Sequence, residues 1–213
     1  FLCLFLDTAD MSAAYLPPAP PQIGEVESDI YLKLVSSMQR EINRLSDEDR
    51  ATRKRGLQRL LDELPWTGKG GSGTKKALKQ FVTSILLPAL LGVTIDSGKS
   101  AEEGGGEGGA VVQAAFTHRG GFATMTDGVE KCRELSLALV KKCLANVTTL
   151  SSNAYIAIVQ ILCKRIISNA GEPSGTYPEV AEELRLQVLD NLLLALNMAH
   201  AQFERVQKKK MEY

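Results

Sequence analysis

Ser97-Gly98-Lys99-Ser100 contains the Gly-Lys-Ser of a phosphate-binding loop. Such a loop wraps backbone N–H groups around phosphate oxygens, and it needs an earlier glycine, a strand before it and a helix after it. The earlier glycine would fall at Val93, and Gly92 is one residue out of register. A helical pattern precedes the segment and a Glu/Gly-rich tract follows it, so nucleotide chemistry is not expected. Gly68 to Lys75 has the glycines but places Thr74 before Lys75, and it fails too. His118 and His200 are the only histidines, and neither reads as a metal ligand for want of a Cys or acid at ligand spacing. Glu182 and Glu183 could serve as general acids, but at a helix start they complement the helix dipole instead. No Ser/His/Asp or Cys/His set stands out. Cys3, Cys132, Cys143 and Cys163 form no C-x-x-C pair and read as free thiols of a reducing compartment. The expectation is therefore a non-enzyme with no catalytic, metal or cofactor-binding residues.

The spacing that does recur joins an acid to an arginine. Asp47/Arg53, Asp127/Arg133 and Glu179/Arg185 each place the acid six residues before the arginine. Three residues past the arginine come Gly56, Ser136 and Val188, four past it Leu57, Leu137 and Leu189, and seven past it Leu60, Val140 and Leu192. This agreement marks equivalent helices of a repeat. Two readings of the arginines are open: a ladder pairing with acids or carbonyls of neighbouring turns, or direct contact with a partner. Arg50, Arg53, Lys54, Arg55 and Arg59 make a basic helix surface, balanced by Asp47, Glu48 and Asp49, so nucleic-acid contact is not expected. Lys54, Lys131 and Glu134 are candidate protein-binding positions on the outer faces of these helices.

The composition suits such helices. Apolar residues make up 44% and aromatics 6%, so Leu, Ala, Val and Ile must build the core, which favours helix packing over a β-sandwich. Lys plus Arg and Asp plus Glu are 25 each, and the formal net charge is +0, so nothing global attracts nucleic acid or anionic lipid. No apolar run reaches the roughly 18 residues of a membrane span. Phe1 to Leu6 is too short for a signal core and lacks a basic flank.

In chain order, residues 1–27 read as a disordered, Pro-rich lead-in, and 28–213 as a helical repeat domain. Repeat one spans 28–64, with Ile30, Leu34, Met38, Ile42 and Leu45 on its first helix and Leu57, Leu60, Leu61 and Leu64 on its second. Pro65 ends it, and Gly68 to Gly73 is a flexible link. Repeat two spans 74–146. Its first helix carries Pro88, which predicts a bend, and residues 97–121 form a disordered Gly-rich insertion. Asp127-Gly-Val-Glu130 reads as a capping box for its second helix. Repeat three spans 151–207, with a Ser151 or Ser152 cap. Its last helix carries Leu184, Val188, Leu192, Ala195, Ala199 and Phe203 on one face. Leu186, Leu189, Leu193 and Leu196 leave other faces apolar as well, so packing from a second direction is expected. The fold class is all-α: an α-solenoid of about three hairpins, continuing beyond this stretch.

Asp47-x-Asp49-x-x-Thr52-Arg53-x-x-Gly56-x-x-x-Leu60 resembles the second helix of a HEAT repeat, and Ile85-Leu-Leu-Pro88-Ala-Leu-Leu91 resembles the first. Asp49 to Leu64, Leu86 to Leu91, Cys132 to Leu137 and above all Pro178 to Leu186 resemble the N-terminal part of the HEAT-repeat dynein axonemal assembly factors. The Gly-rich insertion departs from that pattern. The resemblance implies a cytoplasmic scaffold that helps pre-assemble axonemal dynein arms for motile cilia or flagella. Its implied partners are dynein subunits and chaperone machinery. The alternative is a generic HEAT adaptor in transport, translation or chromosome organisation.

Overall fold

A computed structural model describes residues 25–66, 71–92, 124–147, 150–166 and 179–211. Among them the chain is helical without strands. The lead-in through residue 24, the insertion at 97–121, Cys3, His118 and the Gly-Lys-Ser segment lie outside the described residues.

Helices α1 (Glu25–Arg44) and α2 (Arg50–Glu63) form the first hairpin. Asp49 sets where α2 starts: its carboxylate accepts from the N–H groups of Ala51 and Thr52 and from the Thr52 hydroxyl. The Thr52 hydroxyl and these amides hold the Asp49 carboxyl below its ordinary range. Gly56 sits where the two helices cross. A Cβ there would come within 2.9 Å of the Arg44 Cβ and 3.0 Å of the Glu41 carbonyl oxygen. Helix α1 buries Met38 and Ile42, Leu45 is buried in the turn just after it, and Ile30 and Leu34 are only half-buried. Tyr31 and Val35, absent from the expected stripe, fill the core in their place.

The second hairpin opens with α3 (Gly71–Phe81), a π-helical turn (Val82–Leu86) and α4 (Leu87–Leu91) in one continuous run. The helix begins at Gly71, earlier than the expected Thr74 or Lys75, so the end of the glycine-rich link is its first turn. The Leu87 N–H donates to the Val82 carbonyl, five residues back. Pro88 has no N–H to give, and the wide turn lies directly before it. Gly92 closes the helix at φ 68, in the left-handed region. A short 3-10 turn (Thr124–Thr126) precedes α5 (Glu130–Asn146). Asp127 is not the capping-box residue: Val129 occupies the N-cap without a side-chain bond. The Asp127 carboxylate accepts from the Val129 N–H two residues on, in an Asx turn. That turn leaves the carboxylate aimed away from its own helix.

The third hairpin pairs α6 (Ser152–Ile166) with α7 (Glu182–Met211). The Ser151 hydroxyl caps α6 through the Ala154 N–H, at 3.2 Å. First helices pack on first helices, α1 on α3, with α4 reaching α6. Second helices pack on second helices, α2 on α5 and α5 on α7. Two parallel layers of like helices are the arrangement of an α-solenoid. Helix α7 buries Leu184, Val188 and Ala195 and half-buries Leu192 and Ala199. Phe203, expected on that face, is exposed, because α7 runs well past the length of α5.

Candidate functional site: an arginine ladder along the second helices

The second-helix layer carries its chemistry at the repeated acid and arginine. Arg53 on α2 reaches the turn before α5, where its Nε and Nη2 donate to the two Asp127 oxygens at 2.7 and 3.0 Å. Arg133 on α5 does the same to Glu179, before α7, at 2.8 and 2.9 Å. In both cases Nη1 turns back to the carbonyl of the acid in its own repeat: Arg53 to Asp47 and Arg133 to Asp127, each at 2.9 Å. It also reaches the next carbonyl, Glu48 at 2.8 Å or Gly128 at 3.3 Å. One planar guanidinium thus ties its own turn to the next.

The acids are prepared for this role alike. Oδ1 of Asp47, Oδ1 of Asp127 and Oε1 of Glu179 each accept the backbone N–H two residues on, at 2.8, 2.8 and 3.2 Å. Those bonds fix the carboxylates before any arginine arrives. Asp127 and Glu179 are buried, whereas Asp47 is exposed. Arg165, in the last turn of α6, is a second cation on Glu179, and the Arg165 carbonyl accepts from the Glu179 N–H at 2.8 Å. Burial pushes the Glu179 carboxyl up, but Arg133, the Ala181 N–H and Arg165 outweigh it and hold it below the usual carboxylate range. The hydrogen bonds that Arg53 donates to Asp127 likewise raise the Arg53 pKa.

The two leucine offsets run beside the ladder. Leu57, Leu60, Leu137 and Val140 are buried. Arg185, Leu189 and Leu192 are the third set, and only Leu192 is even half-buried. Arg185 makes no side-chain hydrogen bond or ion pair with any described residue. Lys54 is exposed, while Lys131 and Glu134 bond each other one turn apart at 2.7 Å. The three candidate binding positions therefore offer a cation and a self-neutralised pair to solvent.

Sequence reasoning missed Arg165, whose place beside Glu179 depends on how α6 crosses α7. It also missed Asn191, whose Nδ2 donates to the Leu137 carbonyl at 3.1 Å in the buried seam between α5 and α7. The Glu41 carboxylate, buried and held by Arg44 at 2.7 Å and Arg59 at 3.7 Å, has no counterpart in the repeat pattern. Thiol chemistry finds little support: burial pushes up the Cys143 thiol, and burial together with Asp127 pushes up that of Cys132. Glu204 lies one turn from His200, at 3.8 Å, a spacing the sequence reading passed over; both are exposed. No group of three metal-ligating side chains occurs among the described residues. Glu182 and Glu183 occupy the first turn of α7, exposed.

Among the described residues no helix is long and apolar enough to cross a membrane. No curated protein and no solved structure matches the chain. A family model does, over residues 108–208: dynein axonemal assembly factor 5-like, TPR repeats. Its description counts tetratricopeptide units where the motifs above resemble HEAT units; both are stacked two-helix hairpins. The match covers α5, α6 and nearly all of α7, so this helical-repeat part of the chain is similar to the dynein axonemal assembly factor 5-like repeats.

Proposed function

We propose that this chain is a non-enzymatic, cytoplasmic scaffold that holds subunits of axonemal dynein arms during their assembly, for motile cilia or flagella. The observation that carries the reading is the family match over residues 108–208. The architecture supports it. Stacked hairpins offer one continuous surface made by successive second helices, and such surfaces grip extended protein segments. The partners are dynein subunits and chaperone machinery. Large motor subunits expose apolar and charged interfaces before they meet one another, and many weak contacts along a solenoid can shield these without bond chemistry.

The test is loss of the gene in a ciliated or flagellated cell, together with affinity capture of the tagged chain. The expected result is a viable cell whose axonemes lack dynein arms, with the subunits made but unassembled, and capture of dynein subunits from cytoplasmic extract. Normal arms in the null cell would overturn the reading. Capture of a different cargo would instead favour a general helical-repeat adaptor.

A further inference from the structure

We propose that Leu186 and Leu193, with Glu183 and Asp190 beside them, form a docking surface for a basic amphipathic helix of a partner protein. This rests on the scaffold reading above and gives the partner segment a chemistry.

Leu186 and Leu193 stand seven and fourteen residues past Glu179 and are 60% and 61% exposed. The same offsets hold Lys54 and Leu61 in α2, and Glu134 and Lys141 in α5. Both of those helices carry a following second helix, α5 on α2 and α7 on α5. Lys54 and Lys141 are nevertheless exposed, and Leu61 and Glu134 only half-buried. These two positions therefore belong to the open side of the second-helix layer, which a neighbouring hairpin does not seal. Lys54, Glu134 and Lys141 put charge there, whereas α7 puts two leucines.

The leucines lie about 10 Å apart along α7 and share a face with neighbours three and four residues away. Those neighbours are acidic. Glu182 and Glu183 precede Leu186, and Asp190 lies four residues after Leu186 and three before Leu193. All three acids are exposed, and none makes an ion pair with a described residue. Arg185, the one cation between Glu182 and Asn197, follows the ladder stripe. On the adjoining α5, Lys131 neutralises Glu134 at 2.7 Å, and Ala138 is small.

An apolar pair inside an uncompensated acidic field selects its occupant. A helix with apolar residues at i, i+3 or i+4 and i+7 covers both leucines. Lys or Arg on its flanks would meet Glu182, Glu183 and Asp190, and a flank of Asp or Glu would be repelled. Lys141, level with Leu193, suits a single acid at the far end of the partner helix. The same three acids disfavour an anionic membrane. The chain's own basic run from Lys208 lies on α7 itself and cannot return to that face.

The experiment titrates the 213-residue chain into fluorescein-labelled synthetic helices and reads anisotropy. One peptide carries leucines at i, i+3, i+7 and i+10 with lysines on the flanks. A second replaces the lysines by glutamates, and a third keeps the lysines but scatters the leucines around the helix. The first peptide should bind roughly tenfold tighter than either control. Leu186→Ala with Leu193→Ala should weaken it roughly tenfold, without changing the circular dichroism or Tm, since both side chains are exposed. Glu183→Lys with Asp190→Lys should weaken the lysine peptide and strengthen the glutamate one. Equal affinity for the lysine and glutamate peptides would overturn the proposal, as would a double-alanine chain that binds like the parent. A parent chain that sediments as a dimer, separated by the two leucine substitutions, would overturn it too and assign the face to a second copy. The peptides carry no dynein sequence, so their binding and the dynein-arm phenotype of the null cell can fail separately.

Discussion

Arg133 and Glu179 meet in a two-bond pair across 46 residues of sequence, at 2.8 and 2.9 Å. The arginine comes from the body of one second helix and the acid from the turn before the next. The pair therefore measures the coupling between repeats rather than the stability of either helix.

Arg133→Ala should destabilise the chain by about 1–3 kcal/mol, the usual loss for a charge-assisted bond with a buried partner. Arg133→Lys should recover only part of that loss, because an ammonium cannot span both the carboxylate and the Asp127 carbonyl. Urea unfolding of the two variants checks this. Equal, near-zero changes would show that the pair is solvated.

Glu179→Ala should cost more, about 3–5 kcal/mol, since it leaves both Arg133 and Arg165 without their carboxylate in a buried site. Glu179→Gln should fall between that variant and the parent. The order of the three midpoints in a denaturant series is the measurement.

The same carboxylate predicts acid sensitivity. Its folded pKa is depressed below the ordinary carboxylate value, so its stabilisation is fully present above that ordinary value and is lost as pH falls through the lower folded pKa. Stability measured from pH 6 downward should drop more steeply in the parent than in Glu179→Gln. Parallel curves would remove the linkage.

Gly56→Ala should destabilise by about 1–3 kcal/mol despite alanine's better helix propensity, because its methyl meets the backbone and Cβ of α1. Ser136 and Val188 occupy the equivalent position in the other two repeats. A stabilised Gly56→Ala chain would mean that α1 moves away freely.

Charge reversal of Lys54 together with Lys131 should weaken capture of dynein subunits by a few-fold while leaving the far-ultraviolet spectrum and Tm unchanged, since both side chains are exposed. Complete loss of capture would indicate a focused site rather than a spread surface.

Periodicity made the helices and their grouping legible in the sequence, because apolar spacing and the acid–arginine offset are both local patterns. Arg53, Arg133, Asp127 and Glu179 could be singled out, and a ladder pairing with neighbouring turns was one of the readings open for the arginines; which acid each one meets depends on helix packing that the spacing does not specify. The capping-box reading of Asp127 failed because an Asp just before a helix can instead accept from the N–H two residues on, in an Asx turn, and only the geometry separates the two. Arg165 and Glu41 were not legible at all: each acts through helices whose crossing the sequence does not specify. Phe203 was misplaced because a helical stripe has no mark showing where its packing partner stops.

The π turn at Val82–Leu86 has a consequence for how insertions and deletions are tolerated. One residue beyond the α-helical count turns everything after it by about 100° relative to what came before. The strip before the turn is therefore addressed to α1, and the strip after it to α5 and α6. Ile85, Leu86, Leu87 and Pro88 are all buried, so the run is enclosed on more than one side while it changes direction. A single-residue deletion here would restore ordinary helical phase and carry Leu90 and Leu91 to the wrong neighbour, a heavier lesion than any one substitution in the same stretch. The angle between successive repeats, and so the curvature of the whole array, hangs on the count of residues in this turn more than on their identity.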